Sequence, residues 1–122
     1  MINYKIYLVY IVLTQLGQNI YGESNKDHSG WAKSVCLSSN GLVLAISCDW
    51  NDSNGKDSGN VKVFRNVNNQ WIQIGSEIVG QNPGDNAGKS IDLSSDGSIL
   101  AIGAKNNDDN GIDSGQVRVY KN

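Results

Sequence analysis

The sequence predicts an all-β protein built from two copies of one antiparallel unit. Three observations carry this. The chain holds 14 Gly among 122 residues and only 39% apolar residues, a balance that suits turns and short strands rather than long helices. Shifted by 56 positions, residues 33–66 align without gaps on residues 89–122, with 19 of 34 positions identical. Within each copy the apolar residues follow strand rather than helix spacing, and no stretch from Glu23 to Asn122 has a helical period.

Each element follows from local chemistry. Val35 and Leu37 alternate with Ser34 and Cys36, the period of a strand with one covered face. Ser38-Ser39-Asn40-Gly41 supplies a turn, with Gly41 able to take positive φ. Residues 42–46 are continuously apolar, as expected for a strand covered on both faces. A loop rich in Asn, Asp and Gly follows, then Val61 and Val63 alternate with Lys62 and Phe64. Trp71-Ile72-Gln73-Ile74 makes a fourth strand before Gly75. The second copy repeats the first three strands, so seven strands are expected, four and then three.

A four-stranded unit of about 50 residues is the size of a β-propeller blade. One blade cannot bury both its faces, so it needs neighbours. The expected fold is therefore two consecutive antiparallel propeller-type blades, four strands plus three, forming an incomplete β-propeller. The domain organisation expected is a leader over residues 1–22, a first blade with its linker over 23–86, and a second over 87–122.

The order of motifs resembles FG-GAP-type propeller repeats, as in integrin-alpha-type blades, in the version found in secreted and cell-surface proteins. The matching positions are Trp71, Gln73, Gly75, Ile78 and Gly80, then Gly84, Asp85, Gly88 and Ser90. They continue through Leu93, Ser94, Asp96 and Gly97, residues 101–104, Asn107, Asp108 and Gly111, and Ser114, Gly115 and residues 117–120. The resemblance covers about residues 31–122. The Phe-Gly that names the repeat stands here as Ala87-Gly88 and Trp31-Ala32, and the Gly-Ala-Pro as Gly103-Ala104-Lys105 and Ser47-Cys48-Asp49. A complete propeller has about 4–8 blades. The resemblance thus implies a homo-oligomer, pairing with further blades, or a fragment of a larger protein.

The N-terminus differs in composition. Lys5 is its only charge before Glu23, and an apolar run begins at Ile6 and ends near Leu16-Gly17. About eleven residues are too few for a membrane span, which needs roughly 20. They match the hydrophobic region of a secretory leader with a cut after Gly17 or Gly22. A strand or helix of the domain and a retained anchor are the other readings open. The leader reading implies a secreted or cell-surface protein with no membrane span once it is removed.

The net charge of −2 leaves no basic footprint for nucleic acid. One His and two Cys supply neither a zinc set nor a nucleophile–base pair. No glycine-rich phosphate loop leads from a strand into a helix, and His28 has no partner at a useful spacing. Adjacent Asp108 and Asp109 in a loop are a poor carboxylate pair for glycoside cleavage. The chain is accordingly expected not to be an enzyme.

Four candidate features remain. Asn106, Asp108 and Asn110, followed by Gly111, resemble the start of a calcium loop, because alternate oxygen side chains on a tight loop suit a hard cation. Against this, Val117 stands where an EF-hand has Glu, Trp50 replaces Asn106 in the first copy, and integrin-like propellers carry calcium in a blade's first hairpin, here the short turn at 94–97. The alternative is a solvated loop whose Asn and Asp bond their own backbone. No other cofactor is expected. Asn51-Asp52-Ser53 is an N-glycosylation sequon for a host that glycosylates. Trp31, Trp50 and Trp71 are candidates for a carbohydrate platform or for packing between blades. Cys36 and Cys48 are expected to remain thiols, with a bond between chains as the alternative. If Leu37 and Leu42 flank the turn, Cys36 lies opposite Val43, and Cys48 is then about 16 Å further along at the usual strand rise, too far for a disulfide. The function expected is binding of a protein or glycan ligand by the loops at one end of the blades. The alternative is a structural fragment of a larger FG-GAP repeat surface protein.

Overall fold

The computed structural model describes residues 4–5, 11–23 and 34–122. Among them every regular element is a strand, and the strands form two antiparallel sheets that close no barrel. Sheet I contains β1 (Ser34–Leu37), β2 (Val43–Cys48), β3 (Asn60–Val67) and β4 (Gln70–Gln73) in that order, with β5 (Ile78–Val79) also on β3. Sheet II contains β6 (Ala87–Leu93), β7 (Ile99–Ala104) and β8 (Gln116–Lys121). These are two consecutive propeller-type units. The two-residue strand β5 is additional to the seven expected; it continues along β3 where β4 has ended, pairing Val61 with Ile78.

The 56-residue repeat is a repeat of hydrogen bonds as well as of letters. In the first turn Gly41 N donates to Ser38 O, and Val43 N to Ser38 Oγ. In the second, Gly97 N donates to Ser94 O, and Ile99 N to Ser94 Oγ. The two glycines have φ of 73° and 74°, a region open to Gly without steric cost.

The register of β1 on β2 differs from expectation. Leu37 pairs with Leu44 and Cys36 with Ala45, so Cys36 does not lie opposite Val43. The reason is local: the turn residue Ser38 pairs its backbone with Val43, and Asn40 Oδ1 takes the N–H of Leu42 inside the turn. Cys36 and Cys48 still form no disulfide. Residues 42–46 also differ from a strand buried on both faces. Along β2, full and partial burial alternate, because one face meets sheet II and the other does not.

Sheet II packs on one face of sheet I, here called the back face. Ala45 and Val61 of that face form the core with Leu100, Ile102, Ala87 and Ala104, and Val63, Ile91, Leu93 and Tyr120 pack against it. Backbones approach closely here. A Cβ on Gly88 would stand 2.6 Å from the Ser47 Cβ and 3.1 Å from Asn60 O. Small residues at the seam replace bulk with proximity, so the core has few large side chains.

The N-terminal segment is tied to sheet I. Trp71 Nε1 donates to Leu16 O at 2.8 Å, and Gly17 N donates to Asn69 Oδ1 at 2.8 Å. The Gln18 side chain accepts from Trp71 N and donates to Trp71 O, both at 2.9 Å. Glu23 forms an ion pair with Lys62.

Candidate functional site

Three connections meet at one end of the sheets: the β2–β3 loop (residues 49–59), the β5–β6 linker (80–86) and the β7–β8 loop (105–115). Backbone bonds knit them: Gly84 N to Lys56 O at 2.8 Å, Asn86 N to Asp57 O at 3.0 Å, and Asn106 N to Asp85 O at 3.3 Å. Asn54 Nδ2 adds bonds to Gly80 O and Gln81 O.

Each long loop is folded by its own Asn and Asp. Asn51 Oδ1 accepts from Ser53 N and Asn107 Oδ1 from Asp109 N. Asp52 Oδ1 accepts from Asp57 N, and Asp108 Oδ1 from Asp113 N. Asp57 and Asp113 have φ of 55° and 51°, a left-handed conformation that Asp and Asn tolerate better than other non-glycine residues. The same chemistry repeats in both copies because the same residues do.

Beneath the loops lies a buried polar layer. Asn107 donates to Asp85 Oδ2 at 2.9 Å. Asn86 Nδ2 donates to Asp49 O and Asp57 O, and Asn106 Nδ2 donates to Asn86 Oδ1 at 2.6 Å. Asp49 Oδ2 lies 3.3 Å from Lys89 Nζ. Asp49, Asn51, Asp85, Asn86 and Asn107 are all buried. Buried polar groups are tolerated when they are bonded, and here most of the bonds cross from one unit to the other.

The expected site residues fall as follows. Of the calcium trio, Asp108 carries the loop-forming bond from Asp113, Asn106 points its amide to Asn86, and Asn110 is exposed. No group of three or more His, Cys, Asp or Glu suited to a metal occurs among the described residues. Asp109, the neighbour in the carboxylate pair, accepts from Gln116 Nε2 at 3.3 Å. Asn51 is only 3% exposed, so a glycan on its amide requires that side chain to turn out of the interior. Trp50 stands in the loop that follows Cys48, which pairs with Asn60, whereas Trp71 pairs with Asn66 six residues along β3. At about 3.3 Å per residue, those two rings belong to opposite ends of the sheet and share no platform. Trp31 and His28 lie outside the described residues.

Sequence reasoning missed Asn107 and Asp85 as the bonded pair beneath the loops. The available signal was identity: Asn51 and Asn107 match across the repeat, whereas Trp50 and Asn106 do not. At the surface above this layer, Trp50 is 49% exposed and Ile112 90% exposed. Large apolar side chains on rigidly bonded loops are suited to contact with a ligand.

Compared with protein-family models, curated proteins and solved structures, the chain gives no match.

Proposed function

We propose that this chain is a propeller-type interaction module of a secreted or cell-surface protein, of the FG-GAP-like kind, taking a protein or glycan ligand on its loop end. The observation that carries this is the construction of that end. Two loops and a linker are fixed by a bonded layer of Asn and Asp, and Trp50 and Ile112 stand exposed on them. Ordering the loops before binding reduces the entropy lost on contact. The apolar run after Lys5 supports export. The test is binding to arrays of immobilised oligosaccharides and extracellular proteins. The wild-type chain is compared with a variant carrying Trp50→Ala and Ile112→Asp. The proposal expects a defined set of spots, weakened at least about tenfold in the variant, or roughly 1.4 kcal/mol. Binding that the variant leaves unchanged, or no binding, contradicts it.

A second reading has its own support. Both outer faces of the pair of sheets carry exposed aliphatic side chains, among them Val35 at 64% and Val117 at 71%. These favour a structural unit within a larger array, with no ligand of its own.

A further inference from the structure

The contact between the two sheets is heterologous: the back face of one repeat meets the front face of the next. Each repeat carries both faces, so each face appears once buried and once exposed. On the back face, Val43 and Val61 are 4% and 0% exposed in sheet I, but their counterparts Ile99 and Val117 are 41% and 71% exposed in sheet II. On the front face, Ile91 and Leu93 pack into the core, but their counterparts Val35 and Leu37 are 64% and 56% exposed. Ser47, Asn60 and Val61 receive Gly88 closely. Their counterparts Gly103, Gln116 and Val117 line an open groove of about 470 Å³.

One edge is incomplete in the same sense. β3 is covered by β4 and β5, whereas β8 pairs with β7 alone among the described residues. The chain holds a second segment of the β4–β5 kind. Residues 13–22 align on residues 71–80, with Gln15 on Gln73, Gly17 on Gly75, Ile20 on Ile78 and Gly22 on Gly80. The local geometry is the same. Gln15 Nε2 donates to Gly17 O at 3.2 Å, as Gln73 Nε2 does to Gly75 O at 3.2 Å. The glycines have φ of 76° and 72°. Placement agrees as well: Arg118 donates to Val79 O, and its counterpart Lys62 is ion-paired with Glu23, two residues after Tyr21, the counterpart of Val79. The end of the segment therefore meets sheet I much as β5 meets sheet II. Of its apolar side chains, Leu13 is 97% and Tyr21 80% exposed, and Ile20 is half-buried.

We infer that a second copy of this chain is the partner, seating the back face of its sheet II on the front face of sheet I and receiving residues 13–22 as the strand that completes its β8. Carrying over the pairing of β3 sets the register: Gln15 opposite Tyr120, and Ile20 opposite Val117. The linker fixes the direction. Residues 80–86 lead from one unit to the front of the next, so a segment of this kind belongs to the unit preceding the one it enters. Residues 13–22 enter sheet I, and the preceding unit is a sheet II from another copy. A head-to-tail contact of this type closes into a ring or continues as a filament, according to the rotation per copy.

The experiment uses the 122-residue chain and light scattering after size exclusion. Val35→Lys blocks the front face and Val117→Lys the back face; both side chains are exposed, so neither change disturbs the fold, which circular dichroism checks. The wild type is expected to hold several copies, and each variant alone one copy. An equimolar mixture is expected to form a species of two chains, because one intact front meets one intact back. As a second readout, Ile20→Cys with Val117→Cys, in a chain with Cys36→Ser and Cys48→Ser, is expected to give a ladder of covalently joined copies on oxidation. A one-copy wild type, a mixture that stays at one copy, or cross-links only within single chains overturns the inference. A one-copy wild type would instead favour further units of a longer polypeptide as the neighbours.

Discussion

Val61 and Val117 occupy the same place in two copies of one repeat, yet Val61 is fully buried and Val117 is 71% exposed. Nothing in their own strands accounts for the difference. Val61 pairs with Ser47 and Val117 with Gly103 at matching positions of the two sheets. Two things differ around them: sheet II lies on Val61, and β5 pairs with Val61 through Ile78, whereas among the described residues Val117 has neither.

The close approach of backbones at the seam makes a sharp prediction at Gly59. Its φ is +81°, and a Cβ there would lie 2.1 Å from Ala87 O. Its counterpart Gly115 has φ +79°, with the nearest atom at 3.4 Å. Gly115→Ala is expected to cost the backbone strain alone, on the order of 1–3 kcal/mol. Gly59→Ala is expected to cost clearly more, because backbone must move. Urea unfolding of both variants measures the gap, and equal losses contradict the packing described.

Asn107 tests whether the loop residues act through the buried layer. Asn107→Ala removes the donor to Asp85 and the acceptor for Asp109 N. The expected loss is about 1–3 kcal/mol, typical of leaving a buried polar group unbonded. Asn110→Ala is exposed and is expected to stay within about 0.5 kcal/mol. Thermal unfolding of the two variants reads this directly. A calcium-loop role for Asn110 predicts a calcium-dependent loss in Asn110→Ala instead.

The two hairpin turns should differ in acid. Hydrogen bonds from the Ser98 side chain and backbone, and from Ser94, lower the Asp96 pKa from 3.8 to about 2. A carboxylate with a depressed folded value contributes stability that is complete above the unfolded value. That contribution fades as pH falls from about 3.8 to about 2. The counterpart Asn40 accepts from Ser38 Oγ and Leu42 N, has no third donor because Leu42 stands where the second turn has Ser98, and does not titrate. Asp96→Asn is therefore expected to keep the fold and remove this part of the acid dependence. A carbon-13 titration of the Asp96 carboxyl checks the shift, and an ordinary value near 3.8 contradicts it.

Assigning residues 13–22 to the fold has a consequence for processing. Removal after Gly17 or Gly22, the cuts expected for a leader, would delete most or all of that strand. The chain recovered from its native source is expected to retain residues 13–22, so any leader removed ends before Leu13. Intact-mass and N-terminal sequencing decide this. A mature chain that begins at Gln18 or Glu23 contradicts the strand assignment and supports the leader.

The all-β class and the repeat were legible because turn residues and strand periods recur in one frame. The register of β1 was not, because it depends on which residue of the turn pairs first, and Ser38 rather than Leu37 closes it onto Val43. The calcium motif drew attention to Asn106 and Asn110. The bonds show that Asn107, between them, is the buried member of that loop. Residues 13–22 stayed hidden for two reasons. Leu13 replaces the Trp of the motif, and the offset there is 58 rather than 56 because the linker differs in length. Their apolar composition then read as a leader. The bond from Gln15 to Gly17 and the φ of Gly17 are what expose the likeness.

Hydrogen exchange along β8 shows whether a second copy completes sheet II. In the assembled protein the amides of residues 116–121 that point away from β7 should be protected as strongly as those of residues 60–67, since both strands would then be covered on both edges. The same amides should lose that protection in Val117→Lys, while β3 keeps its own. If β8 in the wild-type chain exchanges at the rate of an open edge while β3 stays protected, no neighbour completes the second unit and the account fails.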